Sequence, residues 1–162
     1  HRRVGEPLYL SDCGADDPFY RGIRAMELAP YFSFGRKRSL MPLRSGLYVI
    51  GASMLQDASS PYSGPLTARN ERRYQQLRRQ VLSEQTNRIP AVIGTKSQSE
   101  LEHWAFERAR FARLCLYLRV RPPEVVIGHM LFVFRLTEEE LRIATGGELA
   151  ELAKLMGTAG QP

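Results

Sequence analysis

Short apolar runs bounded by turn formers alternate along this chain with stretches in which apolar residues return every third or fourth position. Leu8 to Ser11, behind Pro7, reads as a first strand. Residues 17 to 28 read as a short helix or irregular turn, with Asp17 as the capping residue and Pro18 opening the first turn. The aromatic segment Tyr31 to Gly35 is loop-like and closes on the basic run Arg36 to Arg38. Leu47 to Leu55 is framed by Pro42 and Gly46 and is rich in β-branched and aromatic residues, which predicts a strand over its whole length. Its near-continuous apolar character suits burial on both faces, as in a parallel or mixed sheet.

The second half of the pattern is more helical. Asp57 to Pro65 has loop composition, and Thr67 is placed to cap a helix running to about Gln85. Tyr74, Leu77 and Val81 mark its apolar stripe, while Arg69, Arg72 and Arg79 lie off it. A weakly patterned connection follows, through Pro90 and Gly94. Ser99-Glu100-Leu101-Glu102 reads as a capping box opening a helix to about Leu118, with Leu101, Trp104, Ala105, Phe111, Ala112, Cys115 and Leu118 facing inward. Pro122-Pro123 ends it. Val125 to Leu136 is strand-like but interrupted by Gly128-His129, which predicts two strands or one long bent strand. Thr137 to Glu140 forms a second capping box, Gly146-Gly147 breaks the helix it opens, and a last amphipathic segment ends near Met156.

The expected architecture is a single soluble α/β domain over residues 1–162, a small three- to four-stranded mixed sheet covered by the helices at 67–85 and 99–118. Composition agrees: 162 residues at 43% hydrophobic can bury a core, and no stretch approaches the ~20 apolar residues of a membrane span. The chain opens on His1-Arg2-Arg3 close to its first strand, so the reading expects a piece of a longer protein.

A net charge of +6 and a pI near 9.7 invite a polyanion as partner. The arginines are spread along the chain with carboxylates between several of them, and no zinc-finger spacing or RNP-like aromatic strand accompanies them. The simplest reading is a solvated basic surface. An anionic membrane comes second, and nucleic acid is the least favoured partner. Cys13 and Cys115 fit no metal pattern and read as buried thiols.

Candidate chemistry gathers at strand ends, where open α/β folds hold their ligands. Asp12, Asp16 and Asp17 cluster just past the first strand and could meet a cation or sugar hydroxyls, with Tyr20 offering an aromatic face. The plainer account is that Asp17 caps a helix and the other two are solvated. His129 would need a carboxylate partner, Asp12 or Asp16, if the first and third strands were neighbours; the plainer account is a half-buried histidine satisfied by backbone. Ser11 and Ser53 lack the Gly-x-Ser-x-Gly elbow, and the glycines match no nucleotide loop. The expected ligand-contacting set is therefore Asp12, Asp16, Asp17, Tyr20, Ser53, Gln56 and His129, with no cofactor and no metal.

Four segments in order carry a resemblance. Leu8-Tyr-Leu-Ser-Asp-Cys-Gly-Ala-Asp-Asp-Pro-Phe-Tyr-Arg-Gly-Ile23 resembles an LSYFG-x-ADP-x-YYGI stretch, and Ser45 to Gln56 is similar to a PG-x-YAISATNLQG strand. Arg73-Tyr-Gln-Gln-Leu-Arg78 and Pro123 to Leu136 resemble a Y-x-x-LR helix and closing P-x-x-x-IGHSIFVYRL strands. These belong to soluble C-terminal domains of bacterial polytopic membrane glycosyltransferases of the dolichyl-phosphate-mannose/protein mannosyltransferase-like type. The chain departs from the pattern at Asp12, Cys13 and Gly51. The resemblance implies a parent that transfers sugar from a polyprenyl-phosphate carrier, with its catalytic carboxylates in loops outside this chain. It implies an extracytoplasmic (periplasmic) accessory domain tethered to its own membrane-embedded portion, not catalytic alone, with glycan or the polyprenyl-phosphate sugar as prospective ligand. The alternatives are a free-standing small α/β enzyme using an Asp/His pair, and a basic module on anionic lipid or nucleic acid.

Overall fold

The computed structural model describes residues 5–11, 21–28, 41–56, 67–86 and 98–159. Five strands form one mixed sheet: β1 (Leu8–Ser11), β2 (Met26–Glu27), β3 (Gly46–Gly51), β4 (Val125–Ile127) and β5 (Leu131–Leu136). Their order is β2-β1-β3-β5-β4. β1 runs parallel to both β2 and β3, whereas β5 is antiparallel to β3 and to β4. The helices are α1 (Ala52–Gln56), α2 (Ala68–Thr86), α3 (Gln98–Val120), α4 (Glu138–Gly146) and α5 (Leu149–Ala159). The fold is α/β, with five strands where the pattern predicts three or four.

The extra strand is β2. Met26 and Glu27 are both exposed and make a two-residue edge, too short to leave a periodic signal. Beside it, Leu28 N–H donates to Leu10 O at 2.8 Å and carries the chain into the core. The predicted nine-residue strand also divides. Leu47 to Gly51 is strand, but Ala52 to Leu55 turns into α1. Periodicity does not separate a short buried helix from a short buried strand, and here Met54 and Leu55 are buried either way. Val125 to Leu136 resolves into two strands joined at Gly128-His129.

Register explains which face is buried. Tyr9, Tyr48 and Phe134 stand side by side across β1, β3 and β5 on one face, followed by Ser11, Ile50 and Phe132 in the next row. Those rows belong to a core completed by Phe111, Leu114, Cys115 and Leu118 of α3, by Leu141 and Ala144 of α4, and by Leu152 of α5. Tyr9 and Tyr48 stack with ring centroids 4.5 Å apart. Tyr9 Oη donates to Pro42 O and accepts from Arg44 N–H, both at 3.0 Å. Residues 41–45 are thereby clamped at the entry to β3. At that entry a Cβ on Gly46 would lie 2.5 Å from Pro7 O, so only glycine lets β3 approach the start of β1.

α3 is the axis of the helical layer, with α1, α2, α4 and α5 all packed against it. Every side chain from Phe111 to Cys115 is buried, so this half has no polar face. The amino-terminal half differs: Leu101 and Trp104, expected to face inward, are 51% and 37% exposed. Inward-facing there are Phe106 and Ala109, which join Tyr74 and Val81 of α2 in a second, smaller core. The helix begins at Gln98, one residue before Ser99, so Ser99 lies inside its first turn. The other two caps form as predicted. Asn70 N–H donates to Thr67 Oγ1 at 3.2 Å, and Thr137 makes the full reciprocal capping box with Glu140.

Candidate functional site

The carboxyl ends of β1 and β3 and the β4–β5 turn meet at one end of the sheet. Ser11 pairs with Ile50 and Gly51 with Leu131. Ala52 N–H, the first of α1, donates to Met130 O at 2.7 Å and ties the turn to the strand end. The sheet therefore brings Ser53 and His129 to one edge, with Gln56 one turn further along α1. All three are exposed. Asp12, Asp16, Asp17 and Tyr20, together with Cys13, lie outside the described residues.

His129 owes its position to a turn. It has φ 60° and follows Gly128 at φ 57°, and Met130 N–H closes the turn on Ile127 O at 3.2 Å. Two successive left-handed residues match the twist of a tight hairpin, and a histidine there is uncommon. The side chain is exposed, not half-buried as the plainer sequence reading has it. The first strand and the His129 strand are not neighbours either: β3 lies between β1 and β5. Two strand spacings put them roughly 10 Å apart.

α1 is fixed from behind by α3. Arg119 Nε donates to Leu55 O at 2.8 Å and Arg119 Nη2 to Gln56 O at 2.7 Å, while Cys115 Sγ lies 3.7 Å from Met54 O. Three carbonyls at the end of a five-residue helix are thus met by one neighbouring helix. This grip orients Ser53 and Gln56. Sequence reasoning missed it by assigning the arginines between 108 and 121 to the solvated surface. The available signal was spacing, since Arg119 follows the buried Cys115 by one helical turn.

Arg113 departs further from that reading. It is 3% exposed and donates to Glu71, to Ile143 O at 2.9 Å, to Ala144 O at 2.8 Å and to Gly147 O at 2.7 Å. It neutralises the inward carboxylate of α2 and satisfies the last carbonyls of α4. Tyr74 Oη donates to Thr145 O at the same junction. Its burial, set against the nearby Arg113, Arg110 and Arg78, pushes the phenol up to about 12.

Among the described residues, one polar atom at the sheet end has no hydrogen-bond partner. Ser11 is 3% exposed, and its Oγ is buried without a hydrogen bond. It stands in the row of Ile50 and Phe132, on the core face. A buried unsatisfied hydroxyl costs about 1–3 kcal/mol, so its retention is a deficit in stability.

A serine hydroxyl, a glutamine amide and an imidazole supply hydrogen-bond donors and acceptors suited to a ligand rich in hydroxyl groups. Among the described residues no group of three or more His, Cys, Asp or Glu side chains is placed to hold a metal ion. No described helix is long and apolar enough to cross a membrane. Comparison with family models, with curated proteins and with solved structures gives no match in any of the three.

Proposed function

We propose that this chain is an extracytoplasmic accessory domain of a polytopic membrane glycosyltransferase that uses a polyprenyl-phosphate sugar donor, and that it is not catalytic on its own. In this reading the sheet end at Ser53, Gln56 and His129 contacts glycan or acceptor, and the domain's constant partner is its own membrane-embedded portion.

The observation that carries the reading is spatial. The segments that resemble the family's motifs are not scattered. Three of them contribute β1, β3 and β5, hydrogen-bonded side by side at the centre of the sheet, and the fourth lies on α2 against α3. Residues separated by more than 120 positions thus form one structural unit, as a shared domain would require. The hydroxyl, amide and imidazole groups at its edge offer donors and acceptors that suit sugar hydroxyls.

The test is the reading frame upstream of His1. Several apolar segments of about twenty residues are expected there. A reporter fused after residue 162 should read the outer side of the membrane. A frame with no such segments overturns the proposal, and so does a reporter facing the cytoplasm.

A further inference from the structure

One face of α2 belongs to neither the core nor the sheet end. Arg69, Arg72, Arg73, Gln76, Arg79, Gln80 and Ser83 recur at steps of three and four, all are exposed, and on a helical projection they fill an arc of about 120°. Four of the seven are arginine and none is acidic. Of the helix's two carboxylates, Glu71 is turned inward and paired with Arg113 at 3.1 Å, and Glu84 follows Ser83 just outside the arc. A solvated face ordinarily mixes the two signs; within this arc the charges, from Arg69 to Arg79, are all positive over roughly 15 Å of helix.

The arc runs out beside an apolar spot. Leu82, one turn beyond Arg79, is 43% exposed. α2 and α3 lie antiparallel, since Glu71 meets Arg113 and Tyr74 stacks on Phe106 at 5.7 Å. The early residues of α3 therefore lie at Leu82's end of the pair, where Leu101 is 51% and Trp104 37% exposed. Arg108 sits 4.9 Å over the Trp104 ring.

We propose that this face of α2, with Leu82, Leu101 and Trp104 at its end, docks on a bilayer surface of anionic phospholipid. The arginines meet the headgroup phosphates, and the leucines and the amphipathic indole enter the interfacial layer beneath them. Exposed aliphatic side chains favour lipid over nucleic acid, whose backbone gives a leucine nothing to bury against. The inference rests on the reading of the chain as a membrane-tethered domain: a tether holds the face near the bilayer, and a weak surface then suffices.

The 162-residue chain is mixed with vesicles of phosphatidylglycerol in phosphatidylcholine, and with vesicles of phosphatidylcholine alone. Co-sedimentation is expected with the first only, falling as salt rises. Trp104 is the single tryptophan, so its emission should shift to the blue as it leaves water. With each arginine contributing roughly a fivefold factor, the R69Q/R72Q/R79Q variant should bind about a hundredfold more weakly. A control with equal charge loss elsewhere, R24Q/R142Q/K154Q, should bind within a fewfold of the parent. No sedimentation with anionic vesicles, an unshifted emission, or equal loss in both triple variants overturns the proposal. Tighter binding to duplex RNA or DNA than to the vesicles overturns it in favour of nucleic acid. The assay never uses the upstream sequence, so its failure and the failure of the glycosyltransferase reading remain distinguishable.

Discussion

Arg113 Nε lies 3.1 Å from Glu71 Oε2, and the two side chains are only 4% and 9% exposed. The pair joins α2 to α3, and the remaining guanidinium protons hold the end of α4. Removing one partner strands a buried charge, which typically costs about 3–5 kcal/mol. R113M should lower stability to denaturant by that amount. E71M/R113M should recover a large part of it, because an apolar pair leaves no orphaned carboxylate. A double variant as unstable as the single one would show that the α4 carbonyls, not the ion pair, carry the effect.

Replacing Arg119 should act locally. R119M keeps much of the packing stem but exposes the Leu55 and Gln56 carbonyls, for an expected loss of about 1–3 kcal/mol. Hydrogen exchange at the amides of Leu55 and Gln56 should accelerate more than at the amides of β5. Uniform acceleration throughout the chain would argue that α1 opens only with the whole fold.

Ser11→Ala should stabilise the domain by about 1 kcal/mol, since it removes an unsatisfied buried hydroxyl and leaves a small apolar group among Ile50 and Phe132. Thermal or denaturant unfolding measures the sign directly. A loss of stability would mean that the hydroxyl has a partner in solution.

The tyrosines set the alkaline limit. Burial raises the phenols of Tyr48, Tyr74 and Tyr117, and Tyr74 reaches about 12. For a group raised on folding, the stabilisation is complete below its unfolded value near 10 and is lost as pH climbs through the folded one. Stability should therefore decline from about pH 10 towards 12. Absorbance titration should show these phenols ionising only with unfolding.

At the acid side Glu140 contributes. Burial would raise its carboxyl, but hydrogen bonds from Tyr117 and Thr137 and the charge of Arg121 together hold it below the usual range. Its contribution is complete above its unfolded value, near 4.3, and disappears as pH falls through the folded one. E140Q should flatten the loss of stability below about pH 4.5, read by unfolding at stepped pH.

Much of the fold was legible because its signals are local. The Thr67 and Thr137 caps, the Pro122-Pro123 stop and the Tyr74/Val81 stripe each depend on neighbours within a few residues. What escaped is set by distant parts of the chain. α1 is helical at Ala52 to Leu55 because Arg119 meets its carbonyls, sixty-odd positions away. Arg113 is interior because three helices converge on it, although its composition class reads as surface. Trp104 and Leu101 read as core by type but lie where α3 has outrun the sheet. At the candidate site, Ser53 and His129 could be placed at strand ends from their flanking residues. The interposition of β3 between β1 and β5 could not, since strand order leaves no mark on periodicity.

β4 illustrates how narrowly a sheet can avoid polymerising. Val125, Val126 and Ile127 are all about half-exposed on the outermost strand, which among the described residues pairs only with β5. An uncharged, β-branched edge of that kind is a template onto which other chains can add. Its defence is brevity: Pro122-Pro123 limits it on one side and the left-handed Gly128-His129 pair on the other, leaving three residues beside the six of β5. Three residues offer too few backbone groups to seed a growing ribbon. Substitutions that straighten either boundary would lengthen the adhesive strip without touching the core, and aggregation would then appear in a chain of undiminished stability.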